Sequence, residues 1–320
     1  MSFNAVFLDY ATLDQGDLNF QSLHNHFGHL QLYPETFATQ VIERLKNVEV
    51  AITNKVVLDA DIIRQLPRLK LILVAATGTN NVDLEAAKAQ GIVVCNCQGY
   101  GTHSVAQHTL ALMLALTTNL VKYDHAVKHG RWQQSEQFCF LDYPIVELSG
   151  KTLGIIGYGE LGHAVAQLAK AFGMQVILGQ IPNRPAKADH LPLDEFLPQL
   201  DVLSLHCPLT DETRNLIDEA QINLMKPSAF IVNVARGGII NEQVLADALK
   251  KGRIAGAATD VLSVEPPKDG NVLLNSDVPN LIITPHSAWG SVQARQRIVD
   301  QLVENVLAFQ QGQVLRQVNP

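Results

Sequence analysis

The sequence predicts an α/β protein of two domains, each built on a parallel sheet, and three observations lead there. Short β-branched runs alternate with helical patterns along all 320 residues, the arrangement that crossover connections require. A glycine-rich turn that normally follows the first strand of its domain stands near mid-chain, at Gly157-Tyr158-Gly159-Glu160-Leu161-Gly162. A content of 47% hydrophobic and 17% charged residues supplies apolar side chains for two cores rather than one.

Taken in order, the candidate strands of the first part are residues 5–8, 48–53, 71–75 and 92–95, separated by helical stretches such as 37–47 and 83–89. A single long helix, 104–128, leads into the second part. Its strands are 153–156, 175–178, 202–206, 230–234, 254–258 and 281–284, with helices at 163–172 and 242–251. The pair Pro266-Pro267 reads as a rigid turn. A last helix, 292–310, is expected to return to the first domain, leaving a cleft between two lobes.

A Gly-x-Gly-x-x-Gly pattern alone says little, because tight turns everywhere use glycine. Here it follows an apolar strand and opens a helix, and that order is what dinucleotide binding needs. Gly157 allows the sharp turn, Gly159 lets backbone approach a pyrophosphate, and Gly162 lets helix pack closely on strand. Helix-start N–H groups then face the phosphates. The expected class is therefore two Rossmann-like domains with parallel sheets. The dinucleotide-binding domain, 101–289, is inserted in a substrate (lid) domain, 1–100 with 290–320.

A net charge of −7, with no segment that concentrates Lys and Arg, argues against nucleic acid or an anionic membrane as partner. The first residues lack a basic region followed by a long apolar core, so no secretory signal is expected. The apolar run 110–116 is too short to span a bilayer. Cys95, Cys97, Cys139 and Cys207 lack metal-ligand spacing and read as free thiols in a reducing cytoplasm. His24-x-His26 with His29 has no accompanying acids and reads as polar surface, so no metal is expected. The apolar helix 110–120 points to a homodimer.

Three polar residues form a candidate catalytic set. Arg236 follows strand 230–234, Glu265 follows strand 254–258, and His286 follows strand 281–284. All three stand at carboxyl ends of successive strands, the rim where open α/β sheets place ligands. Taken singly, Arg236 reads as a surface ion pair, Glu265 as a solvated loop acid and His286 as a capping group. Their shared placement beside a dinucleotide site points to catalysis.

The segments Val234-Ala-Arg-Gly-Gly-Ile-Ile-Asn-Glu242, Ala258-Thr-Asp-Val-Leu-Ser-Val-Glu-Pro266 and Thr284-Pro-His-Ser-Ala-Trp-Gly290 resemble the D-isomer-specific 2-hydroxyacid dehydrogenase family. The similarity extends to Ala75-Ala-Thr-Gly-Thr-Asn-Asn-Val-Asp83, Gly130-Arg-Trp132 and His206-Cys-Pro-Leu-Thr210, and so runs over nearly the whole chain. Within the family, Tyr100-Gly-Thr-His-Ser-Val-Ala-Gln107 and Phe138-Cys-Phe140 bring it nearest to glycerate dehydrogenases, also called hydroxypyruvate reductases. The resemblance implies an enzyme moving hydride between a nicotinamide cofactor and a small 2-oxo or 2-hydroxy acid. It implies Arg236, Glu265 and His286 as catalytic, and Ala76, Thr77 and Gly78 with Arg236 and His286 around the substrate. Cofactor contacts are implied at Thr102, Gly157, Gly159, Glu160, Leu161, Gly162, Gln180, Arg184, His206, Cys207, Pro208 and Thr213, then at Val234, Ala235, Arg236, Asp260, His286 and Ala288.

Those residue types suit the chemistry. Guanidinium presents paired donors to the carboxylate and carbonyl oxygens of a 2-oxo acid. Imidazole, titrating near pH ~6.5 when free, serves both directions of a reversible reaction. A carboxylate on its far nitrogen favours the imidazolium. NAD-specific sites place an acid some 20 residues past the glycines. Here Gln180 takes that place, and Arg184 is available to a 2′-phosphate, so both NAD and NADP stay open. Gln107 and Asn80 stand where relatives often carry acids, exchanges that keep shape and remove charge. Trp132 and Trp289 read first as packing residues.

The loop 75–83 holds no Lys or Arg, which favours hydroxypyruvate or glyoxylate over a phosphorylated acid. The chain ends soon after its last helix, so no appended regulatory domain is expected. A D-lactate-type or formate-type activity is the nearest alternative, since one or two pocket residues change selectivity by only ~1–3 kcal/mol. A catalytically silent, nucleotide-sensing interaction protein is the alternative of another class.

Overall fold

In the computed structural model, which describes residues 3–320, the named strands pair in parallel throughout and assemble two separate sheets. The chain divides into one unit of Met1–Gly101 with Trp289–Pro320 and another of Thr102–Ala288, so the second is inserted in the first.

The first unit carries β1 (Asn4–Phe7), β2 (His29–Leu32), β3 (Val50–Thr53), β4 (Leu71–Val74) and β5 (Val93–Cys95) in the order 2-1-3-4-5. Short helices α1 (Gln21–His24), α2 (Val41–Leu45), α3 (Ala60–Arg64) and α4 (Leu84–Ala89) connect them. Alternate residues of each strand face opposite ways, and here both ways are apolar. Phe7, Ile52, Leu71 and Leu73 pack with Ile298, Val299, Leu302 and Val306 of the last helix. Val6, Ala51, Ile72 and Val74 pack with Val41, Leu45 and Ile63. Burial on both faces is why these strands read as unbroken apolar runs. Arg295 of the last helix fixes its own start by donating to Asp17 at 2.7 and 2.6 Å. That hydrogen-bonded guanidinium holds the Asp17 carboxyl down to about 2.

The second unit opens with α5 (Thr102–Thr117) and α6 (Leu120–Lys128). It continues through β6 (Thr152–Ile156), α7 (Glu160–Ala171), β7 (Gln175–Gly179), β8 (His190–Leu191), α8 (Leu193–Phe196) and β9 (Val202–Leu205). After these come α9 (Glu219–Leu224), β10 (Phe230–Asn233), α10 (Glu242–Lys250), β11 (Gly256–Thr259) and β12 (Leu281–Ile283). The last helix of the chain, in the first unit, is α11 (Val292–Gln310). The seven strands lie in the order 12-11-10-9-6-7-8. Leu203, Leu205, Ile231 and Ala257 pack with Phe196, Ile222, Leu245 and Leu249 over one side of the sheet.

Several expectations need correction. The single helix 104–128 is two helices bent by 61°. Asn119 takes a left-handed φ of 49° at the break, and its side chain donates to Pro144 O at 2.7 Å. Asparagine tolerates that conformation better than most residues, which explains the site of the break. Among the described residues no single helix is long and apolar enough to cross a membrane. The stretch 110–120 is apolar on both sides: Leu110, Ala111, Leu114 and Ala115 keep partial or full exposure along one face of α5. Leu112, Met113 and Leu116 are buried inside the unit, and large exposed apolar side chains follow at Leu120, Val121, Trp132, Phe138, Leu141 and Ile145. The helix expected over 37–47 is a 3₁₀ turn, Ala38–Gln40, followed by the short α2. Strand β2, which contains His29, was not expected at all.

Candidate active site

The glycine turn joins β6 to α7. Gly157 has φ +96°, and a Cβ on it would lie 2.5 Å from the backbone N of Cys207. A Cβ on Gly162 would lie 2.3 Å from Gly157 O. Backbone therefore lies against backbone at both positions, and neither accepts a side chain. Gly159, the N-cap of α7, faces open space: a Cβ there would meet nothing within 4 Å. The twelve-residue α7 thus begins at an uncovered turn, with Glu160, Leu161 and Gly162 in its first turn. Thr102 Oγ1 donates to Glu160 Oε1 at 2.5 Å, tying the start of α5 to it.

The neighbouring strand β9 ends beside this turn, where His206 N–H donates to Ile156 O at 2.8 Å. The His206 ring reaches Ser204 Oγ through Nε2 at 2.8 Å, and its buried Nδ1 has no partner among the described residues. Although the residue keeps some exposure, its desolvated ring has its pKa lowered to about 4. Burial likewise pushes the Cys207 thiol up to about 11, so it is no ready nucleophile. Thr213 is buried and its hydroxyl donates to Pro208 O at 2.6 Å, closing the loop after β9.

At the end of β7, Gln180 turns inward. Its Nε2 donates to the carbonyls of Ile181, Arg184 and Pro185 at 3.0, 3.3 and 3.3 Å, while its Oε1 is buried without a partner. Arg184 is not a bare solvent-facing charge. Its guanidinium lies 3.9 Å from Glu212, whose carboxylate also accepts from Thr210 Oγ1 at 2.6 Å. Sequence alone does not mark Glu212. Its only signal there was its place in a Thr-x-Glu-Thr turn.

The three polar residues singled out from sequence all belong to this unit. Asn233, Thr259 and Ile283, the last residues of β10, β11 and β12, stand in register. Arg236, Glu265 and His286 follow them on one rim. The glycine turn ends β6, two places further along the same row of strands. With neighbours roughly 5 Å apart, the row from glycine turn to His286 spans roughly 20 Å. Asn233 fixes the start of the Arg236 turn: its Nδ2 donates to Arg236 O at 2.9 Å and its Oδ1 accepts from Ala235 N–H at 3.1 Å. Val234 and Ala235 are buried, whereas Arg236 is exposed and, among the described residues, donates only Nη1, to Ala235 O at 2.7 Å.

His286 Nδ1 lies 2.6 Å from Glu265 Oε2, and Glu265 Oε1 accepts from Leu262 N–H at 2.8 Å. Both side chains are about one-third exposed, at 35% and 34%. The contact leaves Nε2 as the imidazole's outward nitrogen. His286 sits at a left-handed φ of 51°, and Asp260 holds the loop in that form. The carbonyl of Asp260 accepts from His286 N–H at 2.8 Å, and its buried carboxylate accepts from Ser287 and Ala288 N–H, each at 2.9 Å.

Ala76, Thr77 and Gly78 belong to the other unit, at the carboxyl end of β4. The carbonyls of Ala76 and Thr77 accept from Cys97 N–H at 3.0 Å and Asn96 Nδ2 at 2.8 Å. The N–H groups of all three have no acceptor among the described residues. No group of three or more His, Cys, Asp or Glu among the described residues is arranged to hold a metal ion.

Residues 110–288 match the family model described as the NAD binding domain of D-isomer specific 2-hydroxyacid dehydrogenases. The chain belongs to the D-isomer-specific 2-hydroxyacid dehydrogenase family. As a family member it is an NAD(P)-dependent oxidoreductase of 2-hydroxy acids. It is 47% identical to the glycerate dehydrogenase of Methylorubrum extorquens over 313 residues, covering 98% of both chains. It is 39% identical to the hydroxypyruvate reductase of Blautia hydrogenotrophica over 321 residues, covering 98% of this chain and 99% of that one. Among solved structures, it superposes with a TM-score of 0.83 and 27% identity on an acyclic imino acid reductase in complex with NADPH and D-Arg. That superposition covers 98% of this chain and 99% of the reductase. The dehydrogenase family's two-domain α/β fold is thus the fold of this chain. The open turn at Gly159 and the orphaned ring nitrogen of His206 suit a bound dinucleotide.

Proposed function

We propose that this dehydrogenase interconverts hydroxypyruvate and D-glycerate and also reduces glyoxylate. The observation that carries the reading is the His286–Glu265 contact of 2.6 Å on the same sheet rim as Arg236. The similarity to relatives named glycerate dehydrogenase and hydroxypyruvate reductase supports the choice of acid.

Arg236, with guanidinium donors still free, holds the carboxylate and carbonyl oxygens of the acid. The N–H groups of Ala76, Thr77 and Gly78, which have no acceptor among the described residues, are suited to a carboxylate of the substrate. The nicotinamide, when bound, supplies hydride to the carbonyl carbon. His286 Nε2 gives its proton to the carbonyl oxygen, and Glu265, facing Nδ1, fixes the orientation of the ring. In the reverse direction the neutral ring takes the hydroxyl proton. Gln180 carries no charge to repel a 2′-phosphate, and Arg184 lies nearby, so NADPH is accepted beside NADH.

The deciding measurement follows nicotinamide absorbance over a panel of 2-oxo acids with each cofactor. Turnover of hydroxypyruvate and glyoxylate is expected, with either dinucleotide. Faster turnover of pyruvate would favour a D-lactate-type enzyme. Silence from folded, cofactor-binding protein would favour the sensor. A strong NADH preference would leave Arg184 to Glu212 alone.

A homodimer in the cytoplasm completes the proposal. The exposed Trp132, Phe138, Leu141 and Ile145 give it an apolar contact surface, and four unpaired cysteines suit a reducing compartment. Sedimentation should find twice the chain mass, and a monomer at all concentrations would refute the dimer.

A further inference from the structure

The loop that carries His286 is also gripped from behind by α5. Ser104 and His108 stand four residues apart on this helix and so share one face. Ser104 Oγ donates to Ala288 O at 2.7 Å, and His108 Nε2 lies 3.0 Å from Thr284 Oγ1. Thr284 Oγ1 in turn donates to Asp260 Oδ1 at 2.5 Å. A hydroxyl has one proton. With that proton on Asp260, Thr284 Oγ1 accepts from His108, which places a hydrogen on His108 Nε2. The same Asp260 carboxylate receives the N–H groups of Ser287 and Ala288, the two residues after His286.

We infer that His108 is a positioning residue for the reaction, acting on His286 through Thr284 and Asp260. The inference rests on the dehydrogenase reading of the site. The physical argument is one of rotors. Thr284 can turn its hydroxyl away from Asp260 unless something holds the oxygen's lone pair, and His108 does so. Asp260, only 1% exposed, then keeps both oxygens aimed at the loop backbone. The left-handed φ of His286 is intrinsically unfavourable for a residue with a Cβ and persists because its surroundings fix it. Loosening the Asp260 clamp lets the imidazole drift from its aim, and small errors of aim are costly to a proton transfer. His108 reaches the loop at Thr284 Oγ1, 3.0 Å away, and Asp260 Oδ1, 3.7 Å away, so a packing role without hydrogen bonding predicts no such effect.

The test compares His108→Leu, which removes the donor, with His108→Gln, which restores an N–H at similar reach. At saturating cofactor and hydroxypyruvate, His108→Leu should lower kcat about 5- to 10-fold, as loss of one partly buried hydrogen bond implies. The KM for cofactor should stay within about twofold, and His108→Gln should return kcat to within about twofold of wild type. Combining His108→Leu with Thr284→Val should cost less than the two single losses added together, because both act on Asp260, whose Oδ1 also lies 3.7 Å from His108 Nε2. Independently of turnover, amide exchange at Ser287 and Ala288 should quicken in His108→Leu and not in His108→Gln. Equal kcat in all variants, additive losses, or unchanged exchange in His108→Leu would overturn the inference. Should wild type itself show no turnover with any 2-oxo acid, the dehydrogenase reading fails. The exchange measurement still decides whether His108 holds the loop.

Discussion

His286→Ala is expected to lower kcat between about 100- and 10,000-fold while leaving cofactor affinity within about twofold. The imidazole faces Glu265 with Nδ1 and has Nε2 as its outward nitrogen, so its removal deletes the proposed proton carrier. The glycine turn, the proposed seat of the dinucleotide, lies four strands away in the same sheet and is untouched. Hydride transfer without a proton donor leaves an alkoxide in a partly desolvated site, the origin of the large loss. Steady-state kinetics with a fluorescence titration of NADH separates the two terms. Near-normal turnover would remove His286 from the mechanism, and lost cofactor affinity would mean that the loop serves the dinucleotide instead.

The second large effect concerns Arg236. Arg236→Gln is expected to reduce kcat/KM roughly 100- to 1,000-fold, because the two charge-assisted hydrogen bonds proposed to hold the acid disappear together. Arg236→Lys should recover little of this, since an ammonium is a point charge and cannot span carboxylate and carbonyl as a planar fork does. The guanidinium spends one nitrogen on Ala235 O and is otherwise exposed, so the fold should tolerate both changes. Circular dichroism and thermal melting check that tolerance. A lysine variant with full activity would reduce the contribution of Arg236 to its charge.

Much of this architecture was legible in residues alone. Both-face burial writes itself into a strand as an apolar run, and β1, β3, β4, β6, β9 and β10 all carry that mark. Strand β2 does not. Its His29-Leu30-Gln31-Leu32 lies at the sheet edge with only Leu30 buried, so alternation over four residues was too brief to notice. Strand β8 has two residues, fewer than any periodic signal needs. The break at Asn119 hid inside a run of good helix formers, where one left-handed asparagine is the sole clue. At the site, the rim positions of Arg236, Glu265 and His286 followed from strand order alone. Side-chain direction did not. Nothing in the sequence says that Gln180 folds back on its own loop, that Glu212 meets Arg184, or that His108 reaches Thr284 from a helix far earlier in the chain.

The first unit takes strands from one end of the chain and α11 from the other, and this dictates an order of assembly. On a ribosome adding ~5–20 residues per second, roughly 10 to 40 s separate Cys95 from Val292. Throughout that interval Phe7, Ile52, Leu71 and Leu73 lack the helix that shields them from water. The contiguous unit, Thr102–Ala288, has all its parts sooner and can close first. Chain order and folding order therefore run opposite ways here, and the earliest-made strands are the ones most in need of a chaperone.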